Sequence, residues 1–169
     1  MAKFHVSAVT NSIINFANEV DVNLTNLKLQ KILFFINGIY YSEKDEVLFA
    51  EEMRAWKYGP VIPEIYYEFK RFGSGSLNNA KSFLYDPDQS DISISEIPLT
   101  SKELKTVKAL SRLFFIQSAA NLVEMSHRSD SPWSRYFDLD HIGGKEIIFQ
   151  DDDKMFFNKI ANEIYNKYL

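Results

Sequence analysis

The fold of this chain is decided by one stretch, TNLKLQKILFFINGIY at residues 25–40. Its apolar side chains recur at spacings of three and four residues, which place them on one face of a helix. They are Leu29, Ile32, Leu33, Ile36 and Tyr40. Thr25 stands where a hydroxyl oxygen can accept a hydrogen bond from a free backbone N–H of the first turn. The stretch therefore predicts a long helix with a buried face, and the rest of the chain is interpreted around it.

Further helices are predicted on both sides of this stretch. Apolar residues from Val9 to Val20 repeat every three or four positions and predict a helix from about Ser7 to Glu19. Five later helices are marked by residues that cap or open a first turn. These marks are Pro63, Thr100 with Glu103, Ser118, Ser131 with Pro132, and the acidic run Asp151 to Asp153. The simplest explanation of the acidic run is structural, because its charge lies at the positive end of a helix.

The β content is predicted to be small. Residues 47–49 and 53–56 break the helical spacing and predict two short strands, together forming a hairpin. Gly59-Pro60 predicts a turn. The alternating Ile92, Ile94 and Ile97 predict a short strand or an extended segment that lies on the helices. The expected fold is mainly α: a single compact helical domain over residues 1–169 with a small two- or three-stranded β element, and a variable loop region at 73–99.

Composition narrows the possible functions. The chain has 169 residues, with 46% hydrophobic and 25% charged residues, as globular domains have. Its 19 basic and 23 acidic side chains give a net charge of −4, which argues against nucleic acid as the primary ligand. No cysteine is present, and no apolar run is long enough for a signal peptide or a membrane span, so a cytoplasmic location is expected. The 14 Phe and 9 Tyr predict a core or an interface built largely from rings.

Motifs that would indicate metal binding, phosphate binding or catalysis are weak or absent in the sequence. The three histidines, His5, His127 and His141, do not form a metal-binding spacing, and no glycine-rich phosphate loop occurs, so no metal or cofactor is expected. Ser126-His127 and Ser129-Asp130-Ser131 contain the residue types of a hydrolase. A structural role for His127, as a hydrogen-bond donor from a helix end, is favoured over a catalytic one. The hydrolase alternative requires His127 to be exposed and bonded to a hydroxyl.

The segment AWKYGPVIPEIY at residues 55–66 places large amphipathic rings around a turn. The rings are Trp56, Tyr58 and Tyr66. Packing of this corner against the long helix is favoured over direct contact with a partner, because large rings at turns usually pack inward. Lys28, Lys31, Arg54 and Lys57 form either a polar rim beside it or a face that is simply solvated.

Three motifs, taken together, resemble those of the Panacea antitoxin family, whose members include SocA-like and GepA-like phage-associated proteins. Residues 27–35 (LKLQKILFF) resemble the family's LKLQKLLY helix start, and residues 55–66 resemble its AWxYGPVxPxxY segment. Residues 126–133 (SHRSDSPW) resemble its THxxxPW element, with Ser126 in place of the usual Thr. Residues 73–99 and 143–153 match the family pattern poorly.

The resemblance implies a non-enzymatic antitoxin that binds and neutralises a cognate toxin protein. Some such proteins act as adaptors that present the toxin to a Clp-type protease. The candidate partner-binding residues are those of the shared motifs: Lys28, Gln30, Lys31, Trp56, Lys57, Tyr58, Gly59, Pro60, Glu64, Tyr66, His127 and Trp133. The alternatives are the hydrolase centred on His127 and a phage-associated regulatory protein of unknown target. A DNA-binding role is disfavoured by the acidic charge balance.

Overall fold

A computed structural model describes residues 4–86, 91–94 and 99–168, with the side chains of 84–86 and 91–94 left undescribed. Within these ranges the chain forms seven α-helices, a 3₁₀ turn at Lys70–Phe72 and two antiparallel hairpins. The helices are α1 (Val6–Glu19), α2 (Asn26–Lys44), α3 (Pro63–Phe69), α4 (Ser101–Phe115), α5 (Ala119–Ser126), α6 (Pro132–Tyr136) and α7 (Asp153–Tyr168). The strands are β1 (Arg54–Trp56), β2 (Gly59–Val61), β3 (Phe83–Asp86) and β4 (Asp91–Ile94). The prediction of a mainly helical domain with a small β element is confirmed.

The long helix α2 is the centre of the domain. Thr25 caps it by accepting a hydrogen bond from the backbone N–H of Lys28, as predicted. Its buried residues lie all around its axis rather than along one face, because α1, α3, α4, α5, α7 and β2 all contact it. At Gly38 the C-terminal helix α7 approaches so closely that a Cβ would stand 2.1 Å from the Phe157 ring. The core is therefore formed by a layer of helices packed around the buried helix α2.

The predicted strand at Val47–Phe49 is wrong. Asn37, within α2, accepts hydrogen bonds from the backbone N–H groups of Leu48 and Phe49 at 2.8 and 3.2 Å and donates to the Phe49 carbonyl at 3.1 Å. A side chain from another element thus satisfies backbone groups that a strand would pair with a neighbouring strand. The segment crosses α2 as an irregular buried connection.

The observed hairpin pairs β1 with β2, so that Arg54 lies opposite Val61 and Trp56 opposite Gly59. Its turn is Lys57-Tyr58, not the predicted Gly59-Pro60. Gly59 instead begins the second strand with a positive φ of +102°, a conformation that side chains with a Cβ rarely adopt. Pro63 opens α3 directly after the hairpin, as predicted.

The later helices begin where the capping residues predict. Ser118 and Ser131 each accept a hydrogen bond from a backbone N–H of the helix that follows. Thr100 lies at the N-cap of α4, but its side chain makes no cap hydrogen bond, so the capping-box prediction is wrong there. The acidic run has the expected structural role: buried Asp153 accepts from the Gln150 N–H at 2.7 Å and from both guanidinium nitrogens of Arg135 at 2.9 and 2.7 Å.

The predicted loop region at 73–99 contains the second hairpin, in which Phe83 pairs with Ile94 and Asp86 with Asp91. Ile92 and Ile94 therefore lie in a strand that pairs with β3, and Ile97 lies outside the described residues. Asn11 and Ser82 exchange hydrogen bonds that join the start of this hairpin to α1. None of the helices in the described part of the chain has both the length and the apolar character needed to cross a membrane.

Candidate partner-binding site

A cavity of about 440 Å³ lies between α2, the β1–β2 hairpin and α3. It is lined by Asn26, Leu27, Gln30, Lys31, Trp56, Lys57, Tyr58, Val61, Tyr66, Lys70, Gly73 and Ser74. Six of the residues proposed from the sequence motifs therefore meet at one place: Gln30, Lys31, Trp56, Lys57, Tyr58 and Tyr66. They come from two motifs about 25 positions apart in the sequence, which the fold brings together.

The floor of the cavity is a closed network of buried amides. Gln30 accepts from the Ile62 N–H at 2.8 Å and donates to the Asn26 side chain at 2.9 Å. Asn26 in turn donates to the Tyr66 carbonyl at 3.1 Å. Because these side chains are almost fully buried, each bond satisfies a group that would otherwise lose its contact with water. Gln30 and Asn26 thereby hold the start of α3 against the start of α2.

Lys31 is fully buried beside this network, an unusual position for a lysine. Its ammonium donates to the Pro60 carbonyl at 3.0 Å. Burial lowers the pKa of Lys31 from 10.5 to about 7. Gly59 makes room for the lysine, because a Cβ there would stand 2.6 Å from both the Lys31 Cε and the Ser126 Oγ. Gly59, Pro60 and Lys31 thus form one unit that joins the hairpin to α2.

His127 and Trp133 lie behind the hairpin. Their rings stack with centroids 3.9 Å apart, and the Trp133 indole N–H donates to the Trp56 carbonyl at 2.8 Å. The Nε2 of His127 is buried and has no hydrogen-bond partner within the described structure, so the predicted hydrogen bond from this ring is not made there. Burial, and then the nearby charge of Lys31, lowers the pKa of His127. The stacked rings of His127 and Trp133 therefore support the hairpin from behind.

The geometry required by the hydrolase alternative is not formed. The Ser126 hydroxyl donates to the Val123 carbonyl at 2.7 Å within its own helix. Asp130 lies 3.5 Å from the Lys159 ammonium. Ser126 and Asp130, two of the residues proposed to act with His127, are therefore engaged elsewhere.

Aromatic rings are exposed at the cavity and beside it. Tyr58, which lines the cavity at the turn of the hairpin, is 63% exposed. Tyr67 on α3, whose ring lies 5.3 Å from that of the lining residue Tyr66, is 60% exposed. Trp56 and Tyr66 are half-buried and meet edge to face with centroids 4.9 Å apart. The expected inward packing therefore applies to Trp56 and Tyr66 but not to Tyr58. Tyr67 was not proposed from the sequence, although its position beside Tyr66 could have indicated it.

A second exposed apolar surface adjoins the hairpin on its other side. The Trp56 indole N–H donates to the Gly143 carbonyl at 2.9 Å, and Arg54 donates to the Gly144 carbonyl at 2.8 Å. These bonds hold a loop whose Leu139 and Ile142 side chains are 76% and 96% exposed. The loop was not proposed as part of the site. In the sequence, only its pair of glycines, Gly143 and Gly144, indicated an unusual backbone conformation.

Six of the proposed residues do not line the cavity: Gly59 and Pro60 lie in the hairpin, His127 and Trp133 lie behind it, and Lys28 and Glu64 lie elsewhere. The Lys28 ammonium donates to the Phe115 carbonyl at 2.6 Å at the end of α4. Glu64 lies 3.3 Å from the His5 Nε2 near the start of α1. Of the predicted polar rim, Lys31 is buried and Arg54 bonds Gly144, so Lys57 alone of the four residues stands exposed at the cavity.

The sequence of this chain is similar to those of known proteins. The family model described as "Antitoxin SocA-like, Panacea domain" matches residues 29–134, which include the hairpin, Lys31 and Trp133. A curated protein named "Antitoxin SocA", from Caulobacter vibrioides (strain NA1000 / CB15N), is 30% identical over 131 residues. The matched stretch covers 75% of this chain and 66% of that protein, so the chain spans just under two thirds of the relative's length. No solved structure matches the chain.

Proposed function

Because this chain belongs to the family of SocA-like antitoxins with a Panacea domain, we propose that it neutralises a cognate toxin protein by binding it directly. The observation that carries the proposal is the exposed aromatic surface around the cavity. Tyr58 and Leu27, 63% and 42% exposed, line the cavity, and the exposed Tyr67 adjoins it through ring contacts with Trp56 and Tyr66. Large rings that are exposed next to a concave surface are the side chains that most often dominate the energy of a protein interface.

The scaffold beneath this surface is joined by hydrogen bonds, which favours binding. The amide network fastens α3 to α2, and the Trp133–Trp56 bond fastens the hairpin to the residues behind it. A surface that is already ordered loses little conformational entropy when a partner docks. Tyr58 and Tyr67 are thus presented on a fixed frame, as anchors of an interface should be.

Co-expression in bacteria with the protein encoded beside this gene tests the proposal. The wild-type chain is expected to restore growth and to co-purify with the toxin in a stoichiometric complex. Tyr58→Ala and Tyr67→Ala each remove an exposed ring and are expected to weaken the complex about 30-fold, the loss typical of an interface anchor. Growth, and the Kd of the purified complex, are the measurements.

Tyr165→Ala is the matched control. Tyr165 lies on α7, away from the cavity, and is 58% exposed, close to the value for Tyr58. It is expected to leave neutralisation unchanged, and all three variants should unfold at the temperature of the wild type. If both rim variants neutralise and bind the toxin as the wild type does, the proposed surface is wrong.

The adaptor version of the function is separated by repeating the experiment in cells without Clp proteases. Direct binding predicts that the chain still restores growth and that the toxin remains in the complex. If growth is restored only when the protease is present and the toxin disappears, the chain acts as a proteolytic adaptor.

A further inference from the structure

A groove of about 670 Å³ lies between α4 and α7, on a different part of the surface from the cavity under the hairpin. Both helices pack on α2 and form the two walls of the groove, and α1 contributes to its floor. None of the residues that line the groove also lines the cavity proposed to bind the toxin. The groove is therefore a second, separate concave surface.

The α4 wall of the groove is basic. Lys105, Lys108 and Arg112 are spaced three and four residues apart, so they follow one another along one face of α4 over two turns, about 10 Å. Lys108 pairs with Glu19 at 2.9 Å, whereas no carboxylate of the described residues pairs with Lys105 or Arg112. The α7 lining is uncharged, and Glu43 is the one acidic lining residue. This wall is thus positively charged on a chain whose net charge is −4.

The floor of the groove is apolar. Phe16 of α1 lines it, and the Lys108 ammonium and the Arg112 guanidinium lie 5.3 and 5.4 Å from the centroid of its ring. Leu113 of α4 is half-buried at the groove, and Tyr165 of α7 is 58% exposed. A nucleic acid would place phosphates on the basic wall but would leave this apolar floor without a matching surface. Charge along one edge of an apolar strip is instead complementary to an amphipathic protein segment.

We propose that the groove binds an amphipathic helix of a second protein partner, with its apolar face on the floor and acidic side chains along the edge that faces α4. A furrow between two packed helices is the shape into which a third helix docks. The two turns of α4 between Lys105 and Arg112 match the length over which such a helix presents apolar anchors at positions i, i+3 or i+4, and i+7. Because the toxin-binding cavity is left uncovered, the chain can hold both partners at once.

The probe is a fluorescently labelled helical peptide of about 18 residues, with leucine along one face and glutamate along both flanks of that face. Its match has glutamine in place of every glutamate. Each peptide is titrated with the full chain and followed by fluorescence anisotropy. At low ionic strength the glutamate peptide is expected to bind about tenfold more tightly, because two or three exposed ion pairs each contribute a few-fold. Salt should reduce this preference, because it screens exposed charges.

Charge reversal locates the peptide. Lys105→Glu combined with Arg112→Glu is expected to abolish the preference for the glutamate peptide. Lys57→Glu combined with Lys70→Glu is the matched control, since it reverses two exposed lysines that line the toxin-binding cavity, and it should retain the preference. If the control abolishes the preference and the groove variant does not, the peptide binds at the cavity and the inference is overturned.

The inference is also overturned if the wild type binds neither peptide, binds both equally, or binds a DNA oligonucleotide as tightly as the glutamate peptide. Tyr165→Ala separates the two surfaces. This variant is expected to weaken binding of the glutamate peptide about tenfold, by removing an exposed ring, and to neutralise the toxin as the wild type does. Unchanged peptide binding by Tyr165→Ala would contradict docking in the groove, whatever the result of co-expression.

Discussion

Replacement of Lys31 by methionine should make the folded protein more stable at low pH and remove part of its pH dependence. The pKa of Lys31 falls from 10.5 in the unfolded chain to about 7 in the folded protein, because burial disfavours the charged amine. At about 1.4 kcal/mol per pH unit, this difference corresponds to about 5 kcal/mol. Below pH 7 the amine is protonated in both states, so the folded state bears the whole free-energy cost of burying the charged amine.

The direction in which stability changes with pH follows from proton linkage. Between about pH 7 and 10.5 the unfolded chain holds a proton that the folded chain has released, so the free energy of unfolding of the wild type rises with pH. Methionine has no such proton. It also loses the hydrogen bond to the Pro60 carbonyl, which costs about 1 kcal/mol. The variant is therefore expected to exceed the wild type by about 4 kcal/mol near pH 6 and to lose this advantage near pH 10.

Urea unfolding followed by tryptophan fluorescence, repeated from about pH 6 to 10, gives the free energy of both proteins by linear extrapolation. Subtraction of the two curves removes the contribution of all groups that titrate equally in both proteins. Lys28→Met is the control, because burial also lowers the pKa of this half-buried lysine and the same slope should appear with a smaller amplitude. A difference between Lys31→Met and wild type that stays constant with pH would refute the argument that Lys31 is a strained buried cation.

Two further substitutions test the packing. Gly38→Ala places a methyl group 2.1 Å from the Phe157 ring and should lower the free energy of unfolding by about 3 kcal/mol; a loss below about 1 kcal/mol in urea unfolding would mean that α7 can shift away. His127→Phe keeps a ring stacked on Trp133 and removes a buried nitrogen that lacks a partner, so stability should be unchanged or raised by up to about 2 kcal/mol. Toxin neutralisation should survive His127→Phe in the co-expression assay, and its loss would assign the imidazole a direct role.

Local chemistry explains which predictions succeeded. Thr25, Ser118 and Ser131 accept hydrogen bonds from the first turns that follow them, and Pro63 opens α3. Each of these signals depends on residues within one turn of the chain, so no knowledge of the fold is required to interpret it. The helical class and most helix starts were predictable for that reason.

The site was only partly predictable. The motifs named the residues that converge on the cavity, but Tyr67, Lys70 and the exposed loop with Leu139 and Ile142 were missed. Tyr66 and Tyr67 both lie off the buried positions Ile65 and Phe69 of α3, so the helical pattern does not say which of the two rings the hairpin covers. Which ring faces solvent depends on the direction from which the hairpin packs against α3.

By itself, the sequence determined where most helices begin, that residues 25–40 form a capped helix with buried apolar residues, and which motifs belong together. The tertiary structure alone decided that Asn37 replaces a strand partner for Leu48 and Phe49, and that Lys31 lies buried under Gly59. The physical reason is the range of the interactions. A cap is satisfied within a few residues, whereas a buried amide or ammonium is placed by partners contributed from other elements, which only the assembled fold brings within hydrogen-bond distance.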